Sequence, residues 1–196
     1  MNIPGHGFSV TVTIRNVVAS AHFKHGIDLD GIVKAFPHVD YRPKVFPGLA
    51  FRLNQPKSCA LIFRTGKMVC TGAKSEGETR RAVRKVVEEL KKGGIIIAGR
   101  PEITVQNIVA SVELGDVLID VEEAVYVTHR LGKRIMYKPD QFPGAIYRMD
   151  DPQVVFLIFS TGKLVCVGAK REEDIRMAVD KLVTLLDENH VLIRRT

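Results

Sequence analysis

The strongest constraint on this chain is that it says nearly the same thing twice. Phe46-Pro47-Gly48 through Lys74 recurs without a gap as Phe142-Pro143-Gly144 through Lys170, at a constant offset of 96, and sixteen of those 29 positions are identical. Upstream the correspondence continues at an offset of 91, where Asn16-Val17-Val18-Ala19-Ser20 matches Asn107-Ile108-Val109-Ala110-Ser111. The five-residue difference places insertions in the connecting segment of the second copy. Two copies fall short of the three or more that a solenoid needs, and a period above 90 residues exceeds any solenoid unit. A duplicated half of this size predicts a pseudo-twofold molecule, with residues 1–98 as the first repeat and 99–196 as the second.

Each copy reads in one order: an alternating apolar strand (8–19, then 101–111), a short helix (Asp28 to Phe36, Asp120 to Thr128), three or four strands, and a long amphipathic helix. Ala60 to Phe63 and Lys67 to Thr71 flank Arg64-Thr65-Gly66, the glycine-bearing pattern of a tight hairpin. The first long helix begins at a capping box, Ser75 with Glu78. It carries Ala82, Val83, Val86, Val87 and Leu90 at helical spacing and stops at Gly93-Gly94. The second copy repeats that stripe with Ile175, Ala178, Val179, Leu182, Val183 and Leu186. Gly93 to Pro101 is too short and too apolar for a loose linker, which predicts halves sharing a continuous sheet.

The strands carry an anomaly. A sheet covered on one side alternates apolar with polar residues. Here Ala60-Leu61-Ile62-Phe63 and Val154 through Phe159 are apolar on both parities, as are Met68-Val69-Cys70 and Leu164-Val165-Cys166. Each copy has helix enough for one face only. If Ile62, Ile158, Cys70 and Cys166 face the helices, then Leu61, Phe63, Val69, Leu157, Phe159 and Val165 form an exposed apolar surface, the mark of an interaction site. The alternative is a second covering layer. A pseudo-twofold surface of this kind suits a ligand that is itself nearly twofold, such as duplex DNA.

No window approaches the ~18 uninterrupted apolar residues of a membrane span, and residues 1–8 lack the cationic start and apolar run of a secretory signal. The three cysteines have no metal spacing. Cys70 and Cys166, repeat equivalents within apolar strands, read as buried small hydrophobes in a reducing compartment. The net charge of +7 is uneven: residues 1–98 hold 16 Lys/Arg against 7 Asp/Glu, or +9, and the remainder is −2. The Thr-Gly-Lys turns lack the glycine-rich run of a phosphate loop. His22 and His25 have no acid/base or metal constellation around them, so neither catalysis, nor a metal, nor a cofactor is expected.

The paired Gln/Arg-Asn-Ile/Val-Val segments, the Phe-Pro-Gly turns, the Leu-Ile-Phe-x-Thr-Gly-Lys hairpins and the Gly-Ala-Lys ends resemble the TATA-box-binding protein family across residues 8 to 188. The resemblance implies an α+β fold in which two repeats form a saddle-shaped ten-stranded antiparallel sheet with helices on the convex face. It implies a transcription initiation factor that binds and bends A/T-rich promoter DNA through the minor groove, a standing example of kinking by apolar wedges. Carried onto this chain, Phe46 with Phe63 and Phe142 with Phe159 are the wedge pairs. Asn16 and Asn107 are the central donors to base acceptors. Val18, Leu61, Val69, Thr71, Val109, Leu157, Val165 and Val167 line the groove. Arg52, Lys67, Lys74, Arg148, Lys163 and Lys170 reach phosphates, which positions the protein without reading sequence.

The family pattern is broken in several places. Thr71 keeps the threonine before Gly-Ala-Lys, but Val167 replaces it in the second copy, removing one hydroxyl contact to the bases. In the family an acidic stirrup before the second Phe-Pro-Gly contacts the B-type initiation factor. Here Lys138, Asp140 and Gln141 stand in that segment, so the contact does not carry over unchanged. Arg64 adds a cation in the first wedge hairpin, available to a phosphate. Arg80, Arg81, Arg84 and Lys85 on the first long helix are candidates for an acidic partner or further DNA, against the reading of an ordinary solvated face. The implied partners are promoter DNA, the B-type factor and RNA polymerase, with self-association off DNA also open. A diverged paralogue, whose saddle serves protein interaction or regulation, is the rival function. The short stretch before the first strand favours an archaeal-type, nucleoid-associated protein of the cytoplasm over a nuclear one.

Overall fold

The computed structural model describes residues 1–194. In chain order its elements are β1 (Thr11–His22), α1 (Leu29–Ala35), β2 (Leu49–Asn54), β3 (Lys57–Ile62), β4 (Lys67–Ala73), α2 (Glu76–Lys92), β5 (Glu102–Glu113), β6 (Val117–Ile119), α3 (Val121–Arg130), β7 (Arg134–Met136), β8 (Ala145–Met149), β9 (Val154–Ile158), β10 (Lys163–Ala169), α4 (Glu172–Glu188) and β11 (Leu192–Arg194). They divide into two compact units. One runs from Asn16 to Asn107, and the other joins Met1–Arg15 to the residues from Ile108 onward. These boundaries fall inside β1 and β5, so each of those strands belongs partly to both units.

In the first-copy unit the antiparallel order is β2-β3-β4-β1, and in the second-copy unit β5-β10-β9-β8-β7. The sheets carry nine strands among the described residues rather than the ten expected. The missing edge is the first-copy counterpart of β7. Met136 of β7 pairs with Ile146, whereas the equivalent residue Asp40 makes only a single bridge to Ala50. Before Asp40 the chain turns, with Val39 N–H donating to Phe36 O at 3.2 Å, and the Asp40 carboxylate accepts from the Arg42 guanidinium at 2.9 and 3.0 Å. That arginine holds the Asp40 carboxyl below the ordinary carboxylate range. β6 and β11 form a separate two-stranded piece that the repeat did not foretell.

The hairpins close on glycine. Phe63 N–H donates to Lys67 O at 2.8 Å and Gly66 N–H to Phe63 O at 3.0 Å, with Gly66 at φ +87°. A Cβ there would strike the carbonyl oxygen of His25, and one on the equivalent Gly162 would strike that of Val117. These positions therefore require glycine for its backbone freedom and for space. α2 starts at Ser75, whose hydroxyl accepts from Glu78 N–H at 3.1 Å, while Glu78 reaches back to Lys74 N–H at 3.0 Å. The reciprocal bond thus lands one residue earlier than in the usual capping box.

The core of the first-copy unit packs α1 and α2 against one sheet face, burying Ile32, Val83, Val86 and Leu90 with Phe51, Ile62, Met68 and Cys70. α4 presents the matching stripe, Ile175, Ala178, Val179, Leu182, Val183 and Leu186, all buried. Each fully buried aliphatic or aromatic side chain contributes roughly 1.5–3 kcal/mol. The connecting segment after α2 forms no strand. Ile95 and Ile97 are 8% and 6% exposed and plug the first-copy core, while Ile96 between them is 84% exposed.

Candidate nucleic-acid interface

The opposite face of each sheet can be read from the strand register. In the first-copy unit the ladder sets Ser20 beside Val69, Val69 beside Leu61 and Leu61 beside Ala50. The next row sets Thr71 beside Cys59 and Cys59 beside Arg52. The second-copy unit repeats both rows, as Ser111, Val165, Leu157 and Ile146, then Val109, Val167, Val155 and Arg148. Their neighbours along the chain, Ile62, Cys70, Ile158 and Cys166, are no more than 1% exposed, whereas Leu61, Val69, Leu157 and Val165 are half-buried. Side chains alternate across a strand, so one face is sealed by helices and the other stands open. The open apolar face foreseen from the doubled hydrophobic pattern is therefore present in both units.

Both phenylalanine pairs come together. Phe46 and Phe63 lie edge to face with ring centroids 5.8 Å apart, as do Phe142 and Phe159. Phe46 remains 43% and Phe142 37% exposed. Large rings paired with each other and left in water are unusual for a core. The glycine of each Phe-Pro-Gly turn makes the pairing possible. A Cβ on Gly48 would sit 2.6 Å from Phe46 Cε1 and 3.0 Å from Phe63 Cε1, and one on Gly144 2.9 Å from both Phe142 Cε1 and Phe159 Cε1.

Asn16 is held beside Thr71 and Gly72. Its Oδ1 accepts from Gly72 N–H at 2.7 Å, and its Nδ2 donates to Thr71 Oγ1 at 3.2 Å. The carboxamide is thereby fixed, with a second amide proton left to donate. Val18, Asn107 and Val109 are half-buried, like Thr71 and Val167. Val167 has no hydroxyl with which to repeat the Asn16–Thr71 contact. Arg52, Lys67, Lys74, Arg148, Lys163 and Lys170 are all exposed, and Lys163 lies 3.8 Å from Glu113.

Other features were not legible in the sequence. Arg64 is an ion-pair partner of Asp30 at 2.7 Å, which fixes the cation read as available to a phosphate. Cys59 stands on the open face, half-buried, a place that the strand register alone assigns. Arg15 donates to Ser111 Oγ at 2.7 Å, and its repeat equivalent Gln106 donates to Ser20 Oγ at 2.8 Å. The offset of 91 links these residues, though not their hydrogen bonds. Burial pushes the Cys70 thiol up to about 11 and the Cys166 thiol up to about 12. The stirrup residues Lys138, Asp140 and Gln141 are exposed on the β7–β8 connection, where Gln141 N–H donates to Lys138 O at 2.9 Å. On α2, Arg80, Arg81, Arg84 and Lys85 are exposed, and Lys85 Nζ donates to Gln55 O at 2.8 Å.

The family model described as transcription factor TFIID, or TATA-binding protein, matches residues 11–93 and 102–189. The chain belongs to the TATA-binding protein family. A TATA-box-binding protein of Sulfurisphaera tokodaii is 46% identical over 187 residues, which cover 95% of this chain and 92% of the relative. One from Pyrodictium occultum is 50% identical over 172 residues, covering 88% and 84%. Among solved structures, Methanococcus jannaschii TBP superposes with a TM-score of 0.79 at 42% identity, covering 90% of this chain and 98% of that one. The TATA-binding protein fold accounts for the two matched segments, one per repeat, and for the equivalent rows on the two open faces. No helix among the described residues is long and apolar enough to cross a membrane.

Proposed function

We propose that this protein is a general transcription initiation factor that binds and bends A/T-rich, TATA-like promoter DNA through the minor groove and recruits initiation factors and RNA polymerase. The observation that carries this reading is the open apolar row on each unit, together with a phenylalanine pair of which Phe46 and Phe142 stay exposed. Minor-groove edges offer few distinguishing hydrogen bonds, so affinity arises from covering apolar surface and prying base steps apart. Phe46 with Phe63 and Phe142 with Phe159 act as wedges. Val18, Leu61, Val69, Thr71, Val109, Leu157, Val165 and Val167 form a smooth floor that disfavours the protruding guanine amino group. Asn16, held by Thr71 and Gly72, offers its free amide proton to the A N3 and T O2 acceptors, and Asn107 is its counterpart. Arg52, Lys67, Lys74, Arg148, Lys163 and Lys170 take phosphates.

The proposed action is binding without catalysis or cofactor, with residues 1–98 and 99–196 each supplying one wedge pair. Lys138, Asp140 and Gln141 occupy the stirrup assigned to the B-type factor, and their charge predicts a weaker contact than an acidic stirrup would make. Arg80, Arg81, Arg84 and Lys85 form a basic face for an acidic partner. The test is bending, read by energy transfer between dyes on the two ends of a short duplex. An A/T-rich duplex shortens end to end on binding while a G/C-rich duplex of equal length does not; equal binding without bending overturns the reading.

A further inference from the structure

Beside each wedge, one pair of charged positions breaks the molecular repeat. Lys67 follows the wedge Phe63 in the first hairpin, and Lys163 follows Phe159 in the second. Both lysines lie in register with the open face, two residues before Val69 and Val165. Across the ladder Lys67 faces His22, whereas Lys163 faces Glu113. His22 and Glu113 are themselves equivalent at the offset of 91. Glu113 Oε1 lies 3.8 Å from Lys163 Nζ, with both side chains more than half exposed. Such a pair contributes about 0–1 kcal/mol to stability, so holding the fold together does not explain it. What it does is place a negative charge where a phosphate would have to come.

The surroundings widen the difference. Lys24 beside His22 corresponds to Gly115, and His25 corresponds to Asp116. Arg64, next to the first wedge, is neutralised by Asp30. With the histidines neutral, Lys24 and Lys67 leave the first wedge end with +2, whereas Lys163, Glu113 and Asp116 leave the second with −1.

We propose that the His22/Glu113 difference makes the two wedge ends grip phosphates unequally, and that this sets the direction in which the protein lies on DNA. The inference rests on the DNA-binding reading above. The first-copy end, with Lys24 and Lys67 unopposed, takes the flank richer in backbone charge. The second-copy end, where Glu113 screens Lys163, tolerates a flank poor in charge. Phosphate contacts carry no base sequence, so this polarity acts even on a site whose core reads the same in both directions. Glu113 is a positioning residue here, since it acts through Lys163.

The test uses the full chain and a duplex with a self-complementary A/T-rich core, its phosphates replaced by neutral methylphosphonates on one flank only. A dye on Glu188→Cys, in a Cys59→Ala background, reports orientation by energy transfer to a dye on the modified end. The wild-type surface should place its second-copy end at the neutral flank with a bias on the order of fivefold at 50 mM salt, fading toward unity by 0.5 M. Exchanging the charges, His22→Glu with Glu113→His, leaves +1 at the first end and 0 at the second and should cut the bias most of the way to unity; a bias unchanged by the exchange would overturn the inference. Glu113→Gln alone should steepen the dependence of log affinity on log salt by about one. Equal orientations in the wild-type surface with bending intact would overturn the polarity inference alone. Failure to bind the A/T-rich duplex at all would overturn the DNA-binding reading and this inference with it.

Discussion

Replacing Phe46 and Phe63 together with alanine separates wedging from electrostatics. A phenylalanine offers ~150–250 Å² of surface, and Phe46 is 43% exposed, so on the order of 65–110 Å² of it remains to be covered by a ligand. At about 25 cal/mol per Å² that is worth ~2 kcal/mol, with roughly 1 kcal/mol more from the half-buried Phe63. Unstacking a base step costs a few kcal/mol, so the wedge contributes more to shape than to net affinity. The double variant should lose on the order of tenfold in affinity and most of the bend on that side. Lys67→Ala, which removes one exposed charge, should cost roughly threefold at 0.1 M salt and leave the bend intact. Folding should survive, because the rings pack on each other outside the core for about 0.5–1.5 kcal/mol. The assay is a titration of end-labelled A/T-rich duplex, with thermal unfolding run in parallel. A full bend from the double variant, or a larger affinity loss from Lys67→Ala, would refute the reasoning.

The remaining predictions bear on the same faces. Gly48→Ala should displace the Phe46 ring, which its Cβ would approach to 2.6 Å, and reduce bending while the unfolding temperature changes little. Thr71→Val deprives the Asn16 amide of its 3.2 Å hydroxyl partner and should weaken binding to an A/T-rich duplex about three- to tenfold, the worth of one hydrogen bond. Cys59, half-buried on the open face, should be alkylated at pH 8 in the free protein and protected by A/T-rich DNA. Cys70 and Cys166, buried and pushed up to about 11 and about 12, should stay unreacted with or without DNA until the chain is denatured; labelling that ignores DNA would take Cys59 off the interface.

Local chemistry made much of this legible in advance. The offset of 96 located both hairpins and matched Phe46 and Phe63 to Phe142 and Phe159, and Ser75 with Glu78 located the start of α2. The doubled apolar pattern of Leu61-Ile62-Phe63 and Leu157-Ile158-Phe159 gave an open face without naming its neighbours. What escaped depends on residues distant in sequence. Arg64 finds Asp30, 34 positions away, and no periodicity announces that pairing. The first-copy edge is a single bridge at Asp40, because Val39 N–H turns back to Phe36 O, while β7 is a strand with Ile135 buried. Gly93 to Pro101 read only as too apolar for a loose linker; that Ile95 and Ile97 fill the first-copy core depends on residues far away in sequence. Cys59 carried no signal of its own; only the register beside Thr71 and Arg52 put it on the open face.

The central claim, that the open faces meet the minor groove, is tested most directly by replacing A·T pairs of a bound duplex with inosine·cytosine. This exchange keeps the minor-groove acceptors and adds no guanine amino group, but rewrites the major groove. Affinity within about threefold of the A·T duplex, with bending retained, is the expected result. Loss of binding on the inosine duplex would place the protein in the other groove and contradict the account.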